Sequence, residues 1–155
     1  MSDKIIASEG RYSSEEVDVL KRLFDKIIPA RADKRFPSAA DSQIFEDFLA
    51  SSERFRELIS TAILLLQELS GSDYCQLSEV DADRVTQQFY ANRTGPVTTL
   101  LSLLTQCYFR DDRVLEAIGL EPRAPYPGGF EVENGDWGLL EPVKSRGPIY
   151  RVVEN

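Results

Sequence analysis

Histidine is absent from the 155 residues of this chain, and that gap removes more chemistry than any other feature. Without an imidazole there is no Ser-His-Asp or Cys-His nucleophile system, no histidine general base and no ordinary zinc site. Cysteine is nearly as scarce. Cys75 and Cys107 are far apart and form no CxxC pair, a usage that fits a reducing compartment slightly better than an oxidising one. Cys107 reads as a small core residue; Cys75 follows Tyr74 in a loop, and a disulfide between the two stays open. Positive charge is also in short supply: 18 basic residues face 26 acidic ones, for a net charge of -8. That balance is wrong for a protein that tracks nucleic-acid phosphates, which needs a basic face to displace counterions. Long apolar runs are missing too. The most apolar stretch, Ala62 to Leu66, has Glu57 and Glu68 close by and belongs in a core, not in a bilayer. The opening residues hold neither an apolar core of signal-peptide length nor a twin arginine. The expected location is cytoplasmic, or periplasmic if the chain is exported with a partner or a signal has been removed.

What is present is helical periodicity. After a polar lead to about Tyr12, Ser13 and Glu16 form a capping-box pattern, in which each side chain satisfies the other's free backbone N–H. The helix it starts has Val17, Leu20, Phe24, Ile27 and Ile28 as its apolar face, and Pro29 stops it. The loop ARADKRFP carries the densest basic cluster, Arg31, Lys34 and Arg35, read first as a solvated loop and second as a contact to an acidic surface. A second helix begins near Ser38 or Asp41 and buries Ile44, Phe45, Phe48 and Leu49. Ser52 is expected to cap a third, long helix with Phe55, Leu58, Ile59, Ala62, Ile63, Leu66 and Leu69 at helical spacing, ended by Gly71. This third helix is the expected central post. The loop GSDYCQL leads to a fourth helix with Val85, Phe89 and Tyr90 inward.

The stretch from Thr94 to Phe130 sets the organisation of the rest. Pro96 suits the first position of a fifth helix, because its missing N–H would have no intrahelical partner. Val97, Leu100, Leu101, Leu104, Cys107 and Tyr108 give that helix one broad buried face. A short run, Asp112 to Ile118, ends on Gly119, a residue able to take the left-handed conformation that closes a helix. Residues 1–119 therefore read as a helical domain, and residues 120–155 as an extended arm. Pro122, Pro125, Pro127, Pro142 and Pro148, with five glycines, forbid a long helix there. The arm is nevertheless rich in Tyr126, Phe130, Trp137, Leu139, Leu140, Ile149, Tyr150, Val152 and Val153, which disordered tails usually lack. Burying one large side chain is worth about 1.5 to 3 kcal/mol, so these residues need a surface. That surface is either the chain's own bundle or, the favoured reading, another protein, where Trp137 and Tyr150 would pack one end of the ring and keep a hydrogen bond at the other.

Carboxylates are the remaining catalytic candidates. Asp111 and Asp112 precede a short helix and read as capping residues; Glu79, Asp81 and Asp83 form an acidic run. Acid–base work would need a pocket that separates two pKa values, which nothing in the sequence promises. The Pro127 to Gly129 triplet lacks the spacing and the strand-to-helix setting of a nucleotide fingerprint.

The order of pieces carries a resemblance. LFDKIIPA at the first helix end, then TLLSLLTQCYFRDDRVLEAIGL with Ile118, Gly119 and Leu120 at its close, then PYPGGF, resembles the gluconate 2-dehydrogenase subunit 3 family, over most of the chain. Membership would imply a small, non-catalytic subunit that binds and stabilises a large flavoprotein of the glucose-methanol-choline type, which holds FAD and the sugar or polyol substrate. This chain would bind no cofactor itself; the FAD would sit in the partner subunit, with a cytochrome c as a candidate electron acceptor. Many members carry a twin-arginine signal on this subunit, and none is seen here. The expectation is thus an all-α protein, an irregular bundle of five or six helices with an extended C-terminal arm. Its candidate partner interface is Tyr108, Phe109, Tyr126, Pro127, Phe130, Trp137 and Tyr150, with no catalytic, cofactor or metal residues, no nucleic acid and no membrane insertion. The alternatives are a stand-alone acidic helical adaptor or regulator, and a small carboxylate enzyme.

Overall fold

Helix caps written into the sequence start and stop most of the elements. The computed structural model describes residues 12–31, 35–124, 126–129, 131, 134–147 and 149. Among these the protein is all-α, with no strand, and no helix is long and apolar enough to cross a membrane. The chain divides into two units, Met1–Pro122 and Arg123–Asn155.

In the first unit, α1 (Ser14–Ile27) opens on the expected capping box: the Ser13 N–H donates to Glu16 Oε2 at 2.8 Å, and the Glu16 N–H to Ser13 Oγ at 3.1 Å. Its buried stripe is Val19, Leu20, Leu23 and Phe24, while Val17, Ile27 and Ile28 are only half-buried. The stripe is thus rotated toward Val19 and Leu23 from the expected one, and Ile28 lies beyond the helix, at φ −132°. Helix α2 (Ser42–Ser52) is capped by Asp41, whose carboxylate accepts from the Gln43 N–H at 3.1 Å. Phe45 and Phe48 of α2 meet Phe24 of α1 edge-on, with the closest ring centroids 4.6 Å apart, the preferred arrangement for aromatic quadrupoles.

Ser52 does not cap the next helix. It is the last residue of α2, fully buried, and a 3₁₀ turn (Glu53–Phe55) leads directly into α3 (Arg56–Ser70). Its hydroxyl donates to Leu49 O at 2.9 Å and accepts from Tyr12 at 3.1 Å, so it works as a buried relay between the N-terminal segment and α2. Gly71, at φ +64°, ends α3 as expected. The core face of α3 is Ile59, Ala62, Ile63 and Leu66; Leu58 faces outward.

A 3₁₀ turn at Tyr74–Gln76 precedes α4 (Glu79–Ala91), and α5 (Gly95–Tyr108) packs against both α2 and α3. Helix α5 begins one residue before Pro96, on Gly95, and buries Val97, Leu100, Leu103, Leu104, Cys107 and Tyr108. Helix α3 packs on α5, α4 and α1, which keeps it at the centre of the unit as expected, with α5 its most extensive neighbour. Asp111 caps the short α6 (Asp112–Ala117), its carboxylate accepting from the Arg113 N–H. Gly119 at φ +83° closes it, with the Leu120 N–H reaching back to Leu115 O at 2.9 Å. In the second unit, a 3₁₀ turn at Trp137–Leu140 runs into the five-residue α7 (Glu141–Ser145). The segment expected to be wholly extended thus contains one helical turn, which Pro142 permits because it sits in the first turn.

Candidate functional site

Two kinds of surface stand out, and the first is built where three helices fail to close over one another. Lys26, in the last turn of α1, donates to Glu79 at 2.6 Å and to Asp83 at 2.7 Å, both on α4. Arg22, one turn earlier, donates to Leu77 O at 2.7 Å and Glu79 at 3.1 Å, and also to Cys75 O. These bonds clamp α1 against the start of α4. The hydrogen bond from Lys26 holds the Glu79 carboxyl below the usual range, and the Asp83 and Glu79 carboxylates raise Lys26. Beneath the clamp, Tyr74 is fully buried and its hydroxyl lies 2.6 Å from Thr86 Oγ1. Thr86 gives its own proton to Ala82 O at 2.7 Å, so both hydroxyls are satisfied.

Beyond the clamp, α4 and α5 diverge and leave an open groove of about 830 Å³ running past the end of α1. Ile27 at the end of α1, Ile28 just after it, and Leu101 and Leu104 from α5 form its apolar surface. Gln87, Ser102, Thr105 and Gln106 supply uncharged polar tips, and among the described residues Lys26 is its one charged lining residue. Two rings stand in it half-exposed: Tyr90 of α4, at 57%, and Phe109, which follows α5, at 48%. A smaller hollow of about 180 Å³ shares Tyr90, Leu101 and Ser102 and continues to Arg93 and Thr98.

The second surface lies in the other unit. Tyr126 is 87% exposed and Trp137 74%, and Pro127, Leu139, Val143 and Ile149 are exposed with them. Asp136 caps the turn that carries Trp137, accepting from the Gly138 N–H at 2.9 Å. Phe130 and Tyr150, also expected at the interface, lie outside the described residues.

Tyr108 requires a correction. It is 4% exposed, and its hydroxyl donates to Pro37 O at 3.1 Å, so it holds the loop after α1 onto α5 and presents no contact surface. Its neighbour Phe109 meets it edge-on at 5.5 Å and is the one that faces the groove. Tyr90 corrects in the opposite sense: expected inward, it is exposed, while Phe89 is buried. Neighbouring helical residues point about 100° apart, and in α4 it is Phe89 that turns to the core while Tyr90 lies to its side. Helical spacing held that much of a signal for Tyr90; nothing local could have shown Ile28, Gln87 and Gln106 sharing a groove, since they come from three distant segments.

The carboxylates serve structure. Asp111 is held below the usual aspartate range by hydrogen bonds from Arg113, and Asp81 by bonds from Ser78 and Arg84. A general acid working near neutrality needs the opposite shift. Both thiols are free. Burial pushes the Cys107 thiol up to about 11, with the Asp47 carboxylate adding to the rise, which suppresses the reactive thiolate. Among the described residues, no group of three or more Cys, Asp or Glu side chains is placed to hold a metal ion. Set against protein-family models, curated proteins and solved structures, the chain matches none of them.

Proposed function

We propose that this protein is a non-catalytic small subunit that binds and stabilises the FAD-containing catalytic subunit of a sugar or polyol dehydrogenase. The observation that carries the binding role is the exposed series in residues 123–155, with Tyr126 at 87% and Trp137 at 74% exposure. Large aromatic side chains of this kind dominate interface energetics when a partner covers them. The flavoprotein identity of that partner rests on the resemblance in LFDKIIPA, in the segment from Thr99 to Leu120, and in PYPGGF. Acting as a scaffold, the chain would bind only the folded, FAD-loaded partner and so stabilise it by mass action.

The test is affinity purification of the tagged chain from its native source, followed by mass spectrometry and flavin absorbance of the eluate. The expected result is a stoichiometric, yellow, co-eluting protein whose flavin is lost more readily once the small chain is stripped away. A stable partner with no flavin would overturn the dehydrogenase reading and leave an acidic adaptor.

A further inference from the structure

We infer that the pair Asn134 and Gly135 is a self-modification site, at which the Asn134 side chain converts spontaneously to aspartate and isoaspartate just ahead of Trp137. The inference needs no partner and stands apart from the subunit reading above.

The reaction uses only the chain and water. The Gly135 nitrogen attacks Cγ of the Asn134 amide: the N–Cγ bond forms, the Cγ–Nδ2 bond breaks, and the nitrogen's proton leaves with the amide group as ammonia. Water then opens the resulting succinimide at either of its carbonyls. Breaking the N–Cγ bond gives aspartate. Breaking the bond from the nitrogen to the main-chain carbonyl carbon gives isoaspartate, in which the chain runs through the former side chain and gains a methylene. The sum is amide plus water to acid plus ammonia, with nothing oxidised or reduced.

Local structure selects this asparagine. The attack needs a backbone excursion that a Cβ on the following residue hinders and glycine allows. Asn134, Gly135 and Asp136 are all exposed, and open space surrounds the place where a Cβ on Gly135 would project. Among the described residues, none hydrogen-bonds the Asn134 amide or the Gly135 N–H. The pair precedes the 3₁₀ turn at Trp137–Leu140, so no helical bond holds the attacking nitrogen in place. Asn92 has the opposite setting. It ends α4, its own N–H is bonded to Gln88 O and Phe89 O, and its Oδ1 accepts from the Thr94 N–H at 3.3 Å. Arg93 follows it and puts a full side chain beside the nitrogen that would attack.

The position gives the conversion its effect. Asp136 caps the turn that carries Trp137, accepting from the Gly138 N–H at 2.9 Å. A carboxylate at 134 joins Glu131, Glu133 and Asp136 in one short stretch, and the isoaspartate also reroutes the chain that leads into the cap. Both changes fall beside the exposed aromatic surface.

Ageing the full chain at mildly alkaline pH, followed by mass mapping of tryptic peptides, tests this. The peptide 124–144, which holds Asn134, should gain the mass of an acid in place of an amide and split into two chromatographic forms. The larger form should accept a methyl group from an isoaspartyl methyltransferase. The peptide 85–93, which holds Asn92, should stay unchanged. Gly135→Ala, which this open position accommodates, should slow the conversion roughly tenfold or more. The inference is overturned by an Asn134 that keeps its amide, or that converts no faster than Asn92. Conversion confined to denaturant, or an unchanged rate in Gly135→Ala, would overturn it as well. None of these results bears on the flavoprotein reading, which stands or falls with co-purification.

Discussion

Arg113 Nη2 donates to Asp41 Oδ1 at 2.7 Å across 72 positions of sequence, and the same guanidinium donates to Asp111 Oδ2 at 2.8 Å. Asp41 caps α2 and Asp111 caps α6, so one cation links the starts of two helices. The Arg113 side chain is 45% exposed, which limits each pair to about 0.5 to 1 kcal/mol. Arg113→Ala is expected to lower unfolding stability by about 1 to 2 kcal/mol in urea titrations. Combined with Asp41→Asn it should cost less than the sum of the two single changes, because both remove the same contact.

These carboxylates also make stability depend on pH. Hydrogen bonds from Arg113 hold Asp41 and Asp111 below the usual aspartate range. Burial alone would raise Glu16, yet the bonds from Arg56 and the Ser13 N–H more than offset it, and its carboxyl is lowered. With folded values below unfolded ones, the unfolded chain binds more protons in acid. The stability is therefore fully present above the unfolded carboxylate range of about pH 4, and is lost as pH falls through the folded values. Urea midpoints should stay nearly level from neutrality to about pH 5 and drop below about pH 4. In Arg113→Ala that acid limb should be shallower.

The two thiols should differ in reactivity. Cys107 is buried, with its thiol pushed up to about 11, whereas Cys75 is only partly buried. Alkylation with iodoacetamide at mildly alkaline pH, read by peptide mass, should label Cys75 slowly in the folded protein. Cys107 should be labelled only after denaturant is added. Rapid native labelling of Cys107 would contradict its place in the core.

Two glycines should respond oppositely to alanine. Gly71 sits at φ +64° with open space where a Cβ would project, so Gly71→Ala pays only the left-handed backbone penalty, about 1 to 2 kcal/mol. Gly95 opens α5 outside the left-handed region and equally free of neighbours. Gly95→Ala should be neutral or stabilise by up to about 1 kcal/mol, through the unfolded chain. Thermal melts of the two variants side by side check both signs.

Tyr74→Phe isolates the buried hydroxyl. It removes the 2.6 Å bond to Thr86 but leaves Thr86 bonded to Ala82 O, so the expected cost is about 1 kcal/mol. Tyr74→Ala, which empties a fully buried site, should cost about 3 to 5 kcal/mol.

The elements themselves were legible where their cause lies within four residues. Ser13 with Glu16, Gly71 and Gly119 act as the local chemistry requires. Asp111, one of two aspartates that local rules allowed as the α6 cap, is the one used. Ser52 was misread because a serine followed by glutamate looks the same whether it starts a helix or ends one. In the structure its hydroxyl turns back to Leu49 O and accepts from Tyr12, 40 positions away. The candidate site was legible only as a set of residue types. Phe109 was named from sequence and does line the groove, but Tyr108 beside it was named for the same reason and is buried.

The sequence by itself determined the helical class, most helix limits and the chemistry denied by having no histidine, since propensity, capping and composition act over one or two turns. Only the tertiary structure decided which member of Phe89 and Tyr90, or of Tyr108 and Phe109, enters the core, and that Arg113 reaches Asp41. Burial and ion pairing depend on what other segments bring to the same place. No window of neighbouring residues contains that information.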